Sequence, residues 1–136
     1  MKIKLHKNDL PNNINFGKSV AIDTEAMGLN HTRDRLCLVQ LSSGNGVCHL
    51  VQILNNEIKP KNLIKLLKNK KILKIFHFAR FDVGILKHTF NINIENIYCT
   101  KIASKLTRTF TDKHGYKDLC KDLLNKEISK SQQTSD

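Results

Sequence analysis

Three acidic residues in two short motifs could support metal-dependent chemistry in this 136-residue chain. Asp23 and Glu25 follow a run of small and β-branched residues at positions 19–22, a composition typical of a buried strand. Residues two apart in an extended segment point to the same side, so the two carboxylates can meet at one place. Hard cations such as Mg²⁺ prefer oxygen ligands of this kind. The pair therefore indicates a divalent-metal site, although acidic residues two apart are common by chance.

The third acidic residue, Asp82, ends the motif HFARFD at residues 77–82, which follows a second apolar run. The pattern predicts a helix that begins near Ala79 and holds Asp82 on its first turns, where the carboxylate could reach a site beside the sheet. A solvated helix residue or a helix cap is the alternative at this position. His77 and Phe81 are equally consistent with an ordinary strand-end histidine and a core aromatic residue.

The charge of the chain favours a polyanionic partner. Its formal net charge is +11, and most of the positive charge is lysine. Lysines that neutralise phosphates release condensed counterions, so nucleic acid is the leading candidate. The alternative is compositional, because abundant Lys, Asn and Ile can also reflect an AT-rich genome.

The cysteines and the first residues limit the location. Cys37, Cys48, Cys99 and Cys120 are far apart and lack the close spacings of zinc sites or disulfide scaffolds, so we expect reduced core residues. The first fifteen residues contain no continuous apolar stretch and resemble neither a signal peptide nor a membrane span. A cytoplasmic location, without membrane association, is the resulting expectation.

The elements that position these residues follow from periodicity. Strands are predicted at residues 36–41 and 47–51, joined by a Ser-Ser-Gly-Asn-Gly turn at 42–46 that tolerates positive φ. With the strand before Asp23 they form a three-stranded antiparallel meander. One domain with a modest core suits this length.

The second half of the chain predicts further helices and strands. An amphipathic helix is expected after Pro60, a strand at 72–76 and a helix at 79–90. Residues 97–98 fit a strand or a turn, and Thr100 can cap the next helix. A last helix after Gly115 has an apolar face at helical spacing. This face comprises Tyr116, Leu119, Cys120, Leu123 and Leu124.

Several of these blocks, in this order, resemble the ribonuclease D group of 3′-5′ exonucleases. The first exonuclease motifs of that group are similar to AIDTE at 21–25, LCLVQL at 36–41 and HFARFD at 77–82. Later family blocks are similar to YCTKIAS at 98–104, to residues 112–124 and to KSQQTSD at 130–136. The resemblance extends from about residue 17 to the end of the sequence, so it is more specific than any single motif.

The resemblance implies an α/β ribonuclease H-like exonuclease fold, with a mixed sheet that opens with the antiparallel meander and has flanking helices. Residues 1–136 would form a single 3′-5′ exonuclease domain. In the family, four acidic residues bind two Mg²⁺ or Mn²⁺ ions, which support phosphodiester hydrolysis at 3′ ends of RNA or single-stranded DNA. By position, the catalytic and metal ligands would be Asp23, Glu25 and Asp82. Substrate-binding roles would fall to Thr24, His77 and Phe81.

The sequence departs from the family pattern after its last block. In the family a tryptophan and then a Tyr-x-x-x-Asp motif follow, whereas this sequence stops at Asp136. The resemblance therefore implies a domain that is incomplete at the C-terminus and lacks the last catalytic helix. Tyr116 and Asp118 have the wrong spacing to replace that motif.

Three outcomes are consistent with the absence of this motif from the sequence. Little activity is expected unless another chain or a downstream segment supplies the last motif. The alternative function is a catalytically inactive remnant that binds nucleic acid in a salt-dependent, metal-independent way. A reading frame without a folded product is the third possibility.

Overall fold

The computed structural model describes residues 1–128. Within these residues, six strands form one mixed sheet and four helices flank it. The strands are β1 (Lys2–Lys7), β2 (Ser19–Ala26), β3 (Leu36–Ser42), β4 (Val47–Gln52), β5 (Leu73–Phe76) and β6 (Ile97–Cys99). The helices are α1 (Lys61–Lys68), α2 (Ala79–Phe90), α3 (Thr100–Thr107) and α4 (Tyr116–Leu124). The strand order is β1-β4-β3-β2-β5-β6, which places the acidic strand β2 near the centre.

The centre of the sheet follows the predicted meander. β2 pairs antiparallel with β3, and β3 pairs antiparallel with β4. The turn between β3 and β4 contains Gly44 and Gly46, each with φ of +81°, a conformation that glycine adopts at little cost. β5 then pairs parallel with β2, and β6 pairs parallel with β5. The prediction of a mixed α/β sheet with flanking helices is confirmed.

The sheet does not open with the meander, and this detail of the prediction was wrong. β1 precedes the meander and lies at the sheet edge, parallel to β4. His6 Nε2 and His49 Nδ1 lie 2.9 Å apart across this pair. β1 is almost entirely exposed, including Ile3 and Leu5, so its side chains carried no signal of burial.

The core lies between the sheet and the helices α1 and α2. Along β2 the residues Val20, Ile22 and Thr24 are buried, while the alternate residues are more exposed. The buried helix residues are Leu63, Leu66 and Leu67 of α1 and Ile85, Leu86 and Phe90 of α2. Each fully buried side chain of this size contributes about 1.5–3 kcal/mol, so this packing fixes α2 against the sheet. Because Asp82 lies on α2, the same packing fixes Asp82 relative to β2.

The later helices differ from the prediction. Thr100 is the first helical residue of α3, and its hydroxyl donates to the carbonyl of Phe76 rather than capping the helix. In α4 only Leu119 and Cys120 of the predicted apolar face are buried, whereas Leu123 and Leu124 are each 65% exposed. The block predicted at residues 130–136 lies outside the described residues.

The cysteines are all free, as expected, but the core assignment holds only for Cys120. Cys37, Cys48 and Cys99 are half-buried. Among the described residues, no helix has the length and apolar character needed to cross a membrane.

Candidate active site

A cleft of about 620 Å³ lies where β2, β5 and the first turn of α2 meet. Asp23 and Thr24 line it from β2, and Asp82 lines it from α2. His77 and Phe81, which flank the start of α2, line it as well. The structure therefore brings five of the six predicted site residues to one cleft. Glu25, the sixth, lies next to it on β2.

The two β2 carboxylates share one face of the strand. Asp23 and Glu25 remain open to solvent on this face, and the intervening Thr24 is buried on the opposite face. The surrounding protein partly desolvates both carboxyl groups, and this raises the pKa of Asp23 against a smaller opposing effect from a hydrogen bond with the Thr24 backbone. The same desolvation raises the pKa of Glu25, and the charge of Asp23 raises it further. The strand shifts register with β3 directly after Glu25, which ends the regular ladder beside the site.

Asp82 is the most deeply buried of the three carboxylates, with 3% of its surface exposed. The Thr24 hydroxyl donates a hydrogen bond to Asp82 Oδ1 at 2.5 Å. Burial is the main cause that raises the pKa of Asp82 to about 7, and the charges of Asp23 and Glu25 add to it. Hydrogen bonds from Thr24 act in the opposite direction. The alternative of a solvated helix residue at this position was therefore wrong.

The donor set fits a divalent cation. Three carboxylates influence one another, and none of them forms a salt bridge with another part of residues 1–128. Concentrated negative charge with oxygen donors is the environment that Mg²⁺ and Mn²⁺ favour. Within the same residues, no three His, Cys, Asp or Glu side chains are already grouped as a metal site.

His77 is held in one orientation at the cleft. Its Nδ1 lies 2.9 Å from the hydroxyl oxygen of Thr100, and that hydroxyl donates its only proton to the carbonyl of Phe76. Nδ1–H must then be the donor to Thr100, which leaves Nε2 as an acceptor in the neutral ring. Burial lowers the pKa of His77, and the charge of Lys101 lowers it further, so the neutral ring is favoured.

Phe81 serves the core and the cleft at once. Its ring packs against the core and meets the ring of His31 edge-on at 5.1 Å. His31 approaches α2 closely because position 84 is a glycine. A Cβ at Gly84 would lie 2.2 Å from His31 Cε1. The core alternative for Phe81 and its position on the cleft are both correct descriptions of the residue.

Tyr116 is a cleft residue that the sequence interpretation set aside. Its ring meets the ring of His77 edge-on at 5.7 Å and lines the same cleft. Burial and Cys120 raise the pKa of Tyr116, and the charge of Asp23 adds to the shift. No sequence signal points to this contact, because Tyr116 follows His77 by 39 residues and belongs to another element.

Cys99 was also missed as part of this region. Its thiol accepts the backbone N–H of Ala79 at 3.3 Å, where the first turns of α2 and α3 converge. Burial raises the pKa of this thiol, but hydrogen bonds from the backbone amides outweigh it and lower the pKa overall. These amides belong to Ala79, Ile102, Lys101 and Phe78. The thiol therefore joins the first turns of α2 and α3, next to the cleft residues Phe78 and Thr100.

Comparisons with known proteins agree with this geometry. A family model described as 3′-5′ exonuclease matches residues 5–136. Ribonuclease D of Bartonella henselae is 30% identical over 117 residues, which are 86% of this chain and 28% of that protein. The chain thus spans less than a third of the length of this curated relative.

Solved structures extend the comparison. The structure of Brucella melitensis NrnC has a TM-score of 0.91 and 54% identity, covering 95% of this chain and 64% of that one. Structures of the same protein with bound Mg²⁺ and with bound pGG match at TM-scores of 0.91 and 0.89, with 54% and 53% identity. They cover 96% and 95% of this chain and 66% and 64% of those chains.

A more distant structure supports the fold. Escherichia coli RNase D has a TM-score of 0.70 at 21% identity, covering 88% of this chain and 31% of that one. The ribonuclease H-like exonuclease fold and the resemblance to ribonuclease D are confirmed by these matches.

Proposed function

We propose that this chain, which belongs to the 3′-5′ exonuclease family, hydrolyses phosphodiester bonds at the 3′ ends of RNA. The family includes a member solved with bound Mg²⁺, so divalent-metal use is a property found in the family. We further propose that two ions act together and that Mn²⁺ can replace Mg²⁺. We also propose that the chain forms a single exonuclease domain.

The position of Asp82 carries this proposal. A buried carboxylate beside two further carboxylates is unfavourable unless a cation compensates the charge. The raised pKa of Asp82, about 7, shows that its charged form is disfavoured when no cation is bound. Purely structural carboxylates are usually paired with lysine or arginine, and Asp82 instead accepts a hydroxyl hydrogen bond from Thr24. The arrangement supports a site kept negative for a metal ion.

The three acidic residues would act as the metal ligands. Asp23 and Glu25 would hold cations from β2, and Asp82 would hold them from α2. Divalent cations, when bound, activate the attacking water and stabilise the leaving oxygen of a phosphodiester. The chain itself contributes fixed positions, because β2 and α2 are packed into one core and Thr24 links them.

Residues around the carboxylates would bind the substrate. His77 presents an unprotonated Nε2 at the cleft, which could accept a hydrogen bond from a sugar hydroxyl. Phe81 provides apolar surface next to Asp82. Thr24 is buried and engaged with Asp82, so its support to substrate binding would be indirect. The net charge of +11 would favour association with a polyanion.

The substrate class rests on relatives. Curated ribonuclease D proteins match most of this chain, and NrnC, about half of whose aligned residues are identical to this chain, has been solved with bound pGG. We therefore propose RNA 3′ ends, including very short oligonucleotides, with single-stranded DNA as the weaker candidate.

A digestion assay tests the function. RNA and DNA with a 5′ label are incubated with the chain and Mg²⁺, Mn²⁺ or a chelator, together with Asp23→Asn and with Glu57→Gln as an exposed acidic control. We expect labelled products that shorten from the 3′ end at a low rate and only when metal is present. Asp23→Asn should abolish these products, whereas Glu57→Gln should not. A folded chain that gives no metal-dependent 3′ shortening would contradict the proposal.

A further inference from the structure

Phe78 has a backbone conformation that does not suit its side chain. It lies between β5 and α2 with φ of 62° and ψ of 57°, in the left-handed region. The other non-glycine residues with positive φ in residues 1–128 are all asparagine, which tolerates this region best. A bulky aromatic residue here is an outlier, and such outliers are concentrated at functional sites.

The backbone of Phe78 forms the turn between β5 and α2, but this turn does not require the phenyl ring. The turn at Phe78 lets the amides of residues 78 and 79 reach the thiol of Cys99. Asparagine or glycine would make the same turn with less strain. Burial does not explain the ring, because Phe78 is 48% exposed, whereas Phe81 packs against the core. The phenyl group therefore needs another explanation.

The ring of Phe78 has a cation over one face and borders the cleft. The ammonium group of Lys101, on the first turn of α3, lies over this ring at 4.1 Å from its centroid. The exposed ring lines the cleft that also holds Asp23 and Asp82. An exposed aromatic face next to a lysine is the combination that holds single-stranded nucleic acid, because bases stack on the ring and phosphates attract the ammonium.

We propose that Phe78 and Lys101 form a nucleotide-binding subsite at the mouth of the cleft. The Phe78 ring stacks on a base of one of the two nucleotides that flank the scissile phosphate, and Lys101 contacts a neighbouring phosphate. The inference rests on the proposed nuclease function and adds Phe78 and Lys101 to the substrate-binding residues Thr24, His77 and Phe81 that the resemblance implied. Stacking of this kind accepts any base, so the subsite positions the strand without selecting its sequence.

Fluorescence binding tests this subsite separately from catalysis. A short RNA carries 2-aminopurine at the 3′-terminal or the penultimate position, and stacking quenches its fluorescence. Binding is measured with Ca²⁺, and the RNA is checked for integrity afterwards. Phe78→Asn suits the left-handed backbone and removes only the ring, and Phe78→Tyr and Phe78→Trp restore an aromatic surface.

We expect Phe78→Asn to weaken binding by roughly tenfold and to abolish quenching at one of the two positions, the scale of one base–aromatic stack. Phe78→Tyr and Phe78→Trp should bind as the wild type does. Lys101→Gln should weaken binding and reduce its salt dependence, whereas Lys105→Gln, one turn later on the exposed side of α3, should leave both unchanged. Thermal melting should show Phe78→Asn to be at least as stable as the wild type.

An abasic nucleotide at the stacked position completes the test. With this RNA, Phe78→Asn and the wild type should bind equally, because the base that meets the ring is gone. If Phe78→Asn binds the RNA with its base intact as tightly as the wild-type protein does, the subsite is overturned, while the proposed nuclease function is unaffected. A wild type that neither binds nor digests RNA would overturn the proposed function and the subsite together.

Discussion

The Thr24 hydroxyl donates a hydrogen bond to Asp82 Oδ1 and thereby joins the acidic strand β2 to the first turn of α2. Thr24 stands between Asp23 and Glu25, so the strand that carries two carboxylates also holds the third. A hydrogen bond to the charged carboxylate favours that form. Thr24 thus orients Asp82 and limits the upward shift of its pKa.

Replacing Thr24 with valine should raise the pKa of Asp82 further. Thr24→Val keeps the shape of the side chain but removes the donor, and we expect an increase of about one pKa unit above the present value of about 7. Carbon-13 NMR titration of the Asp82 carboxyl in chelator measures it. Thr24→Ser retains the hydroxyl and should titrate as the wild type. An unchanged midpoint in Thr24→Val would show that the hydrogen bond does not stabilise the charged form.

The metal-free protein should lose stability as the pH rises through the range set by Asp82. The folded pKa of about 7 exceeds the unfolded value of about 3.9, so the folded state binds more protons between these values. The free energy of unfolding therefore falls from about pH 4 to pH 7, by ~1–4 kcal/mol. Asp82→Asn should flatten this dependence and unfold at higher urea concentration at pH 8. The exposed Asp112→Asn serves as the control. Equal urea midpoints for Asp82→Asn and wild type at pH 8 would contradict the assignment.

Gly84→Ala should weaken the contact between α2 and the loop that holds His31. Alanine normally stabilises a helix interior by about 1 kcal/mol over glycine, but here its Cβ would lie 2.2 Å from His31 Cε1. We expect a net loss of about 1 kcal/mol in urea unfolding. In a His31→Ala background the same change should be stabilising. If Gly84→Ala has the same effect in both backgrounds, the close approach of His31 is not what requires glycine.

The Cys99 thiol should ionise at a lower pH in the folded chain than in the unfolded one. Burial opposes ionisation, yet the backbone amides of α2 and α3 more than offset it. A variant with serine at Cys37, Cys48 and Cys120 isolates this thiol. The rate of iodoacetamide alkylation is then followed against pH, with and without urea. We expect a lower midpoint without urea. A midpoint that is equal or higher in the folded chain would mean that the amides do not stabilise the thiolate.

The helices and strands that could be predicted are those whose buried side chains recur at regular helical or strand spacing. Helix α1 follows from the spacing of Leu63, Leu66 and Leu67, and helix α2 from that of Ile85 and Leu86. The β3-β4 part of the meander follows from the turn that contains Gly44 and Gly46. β1 was missed although Ile3 and Leu5 alternate with its lysines, because the segment is short, both apolar side chains are exposed and the partner residues on β4 lie 45 positions later. Pairing at an edge depends on backbone hydrogen bonds, and these leave no side-chain pattern.

The carboxylates of the site could be predicted, but the surrounding residues could not. Asp23, Glu25 and Asp82 belong to recognisable motifs at the ends of predicted elements. In the structure Asp23 and Asp82 line one cleft, and Glu25 lies next to it on β2. Phe78 and Tyr116 line the cleft, and Cys99 holds the start of α2 beside it, all through contacts between elements. The spacing of residues along the sequence predicts neither the left-handed backbone conformation of Phe78 nor the convergence of the first turns of α2 and α3.

Mn²⁺ titration followed by electron paramagnetic resonance tests directly whether Asp23, Glu25 and Asp82 form one metal centre. The wild type is compared with Asp23→Asn, Glu25→Gln and Asp82→Asn, and with Glu57→Gln as an exposed acidic control. We expect the wild type and the control to bind Mn²⁺ alike, and each of the three variants to bind at least about tenfold more weakly. Wild-type affinity in Asp82→Asn would contradict the claim, since the buried carboxylate would then have no part in holding the ion.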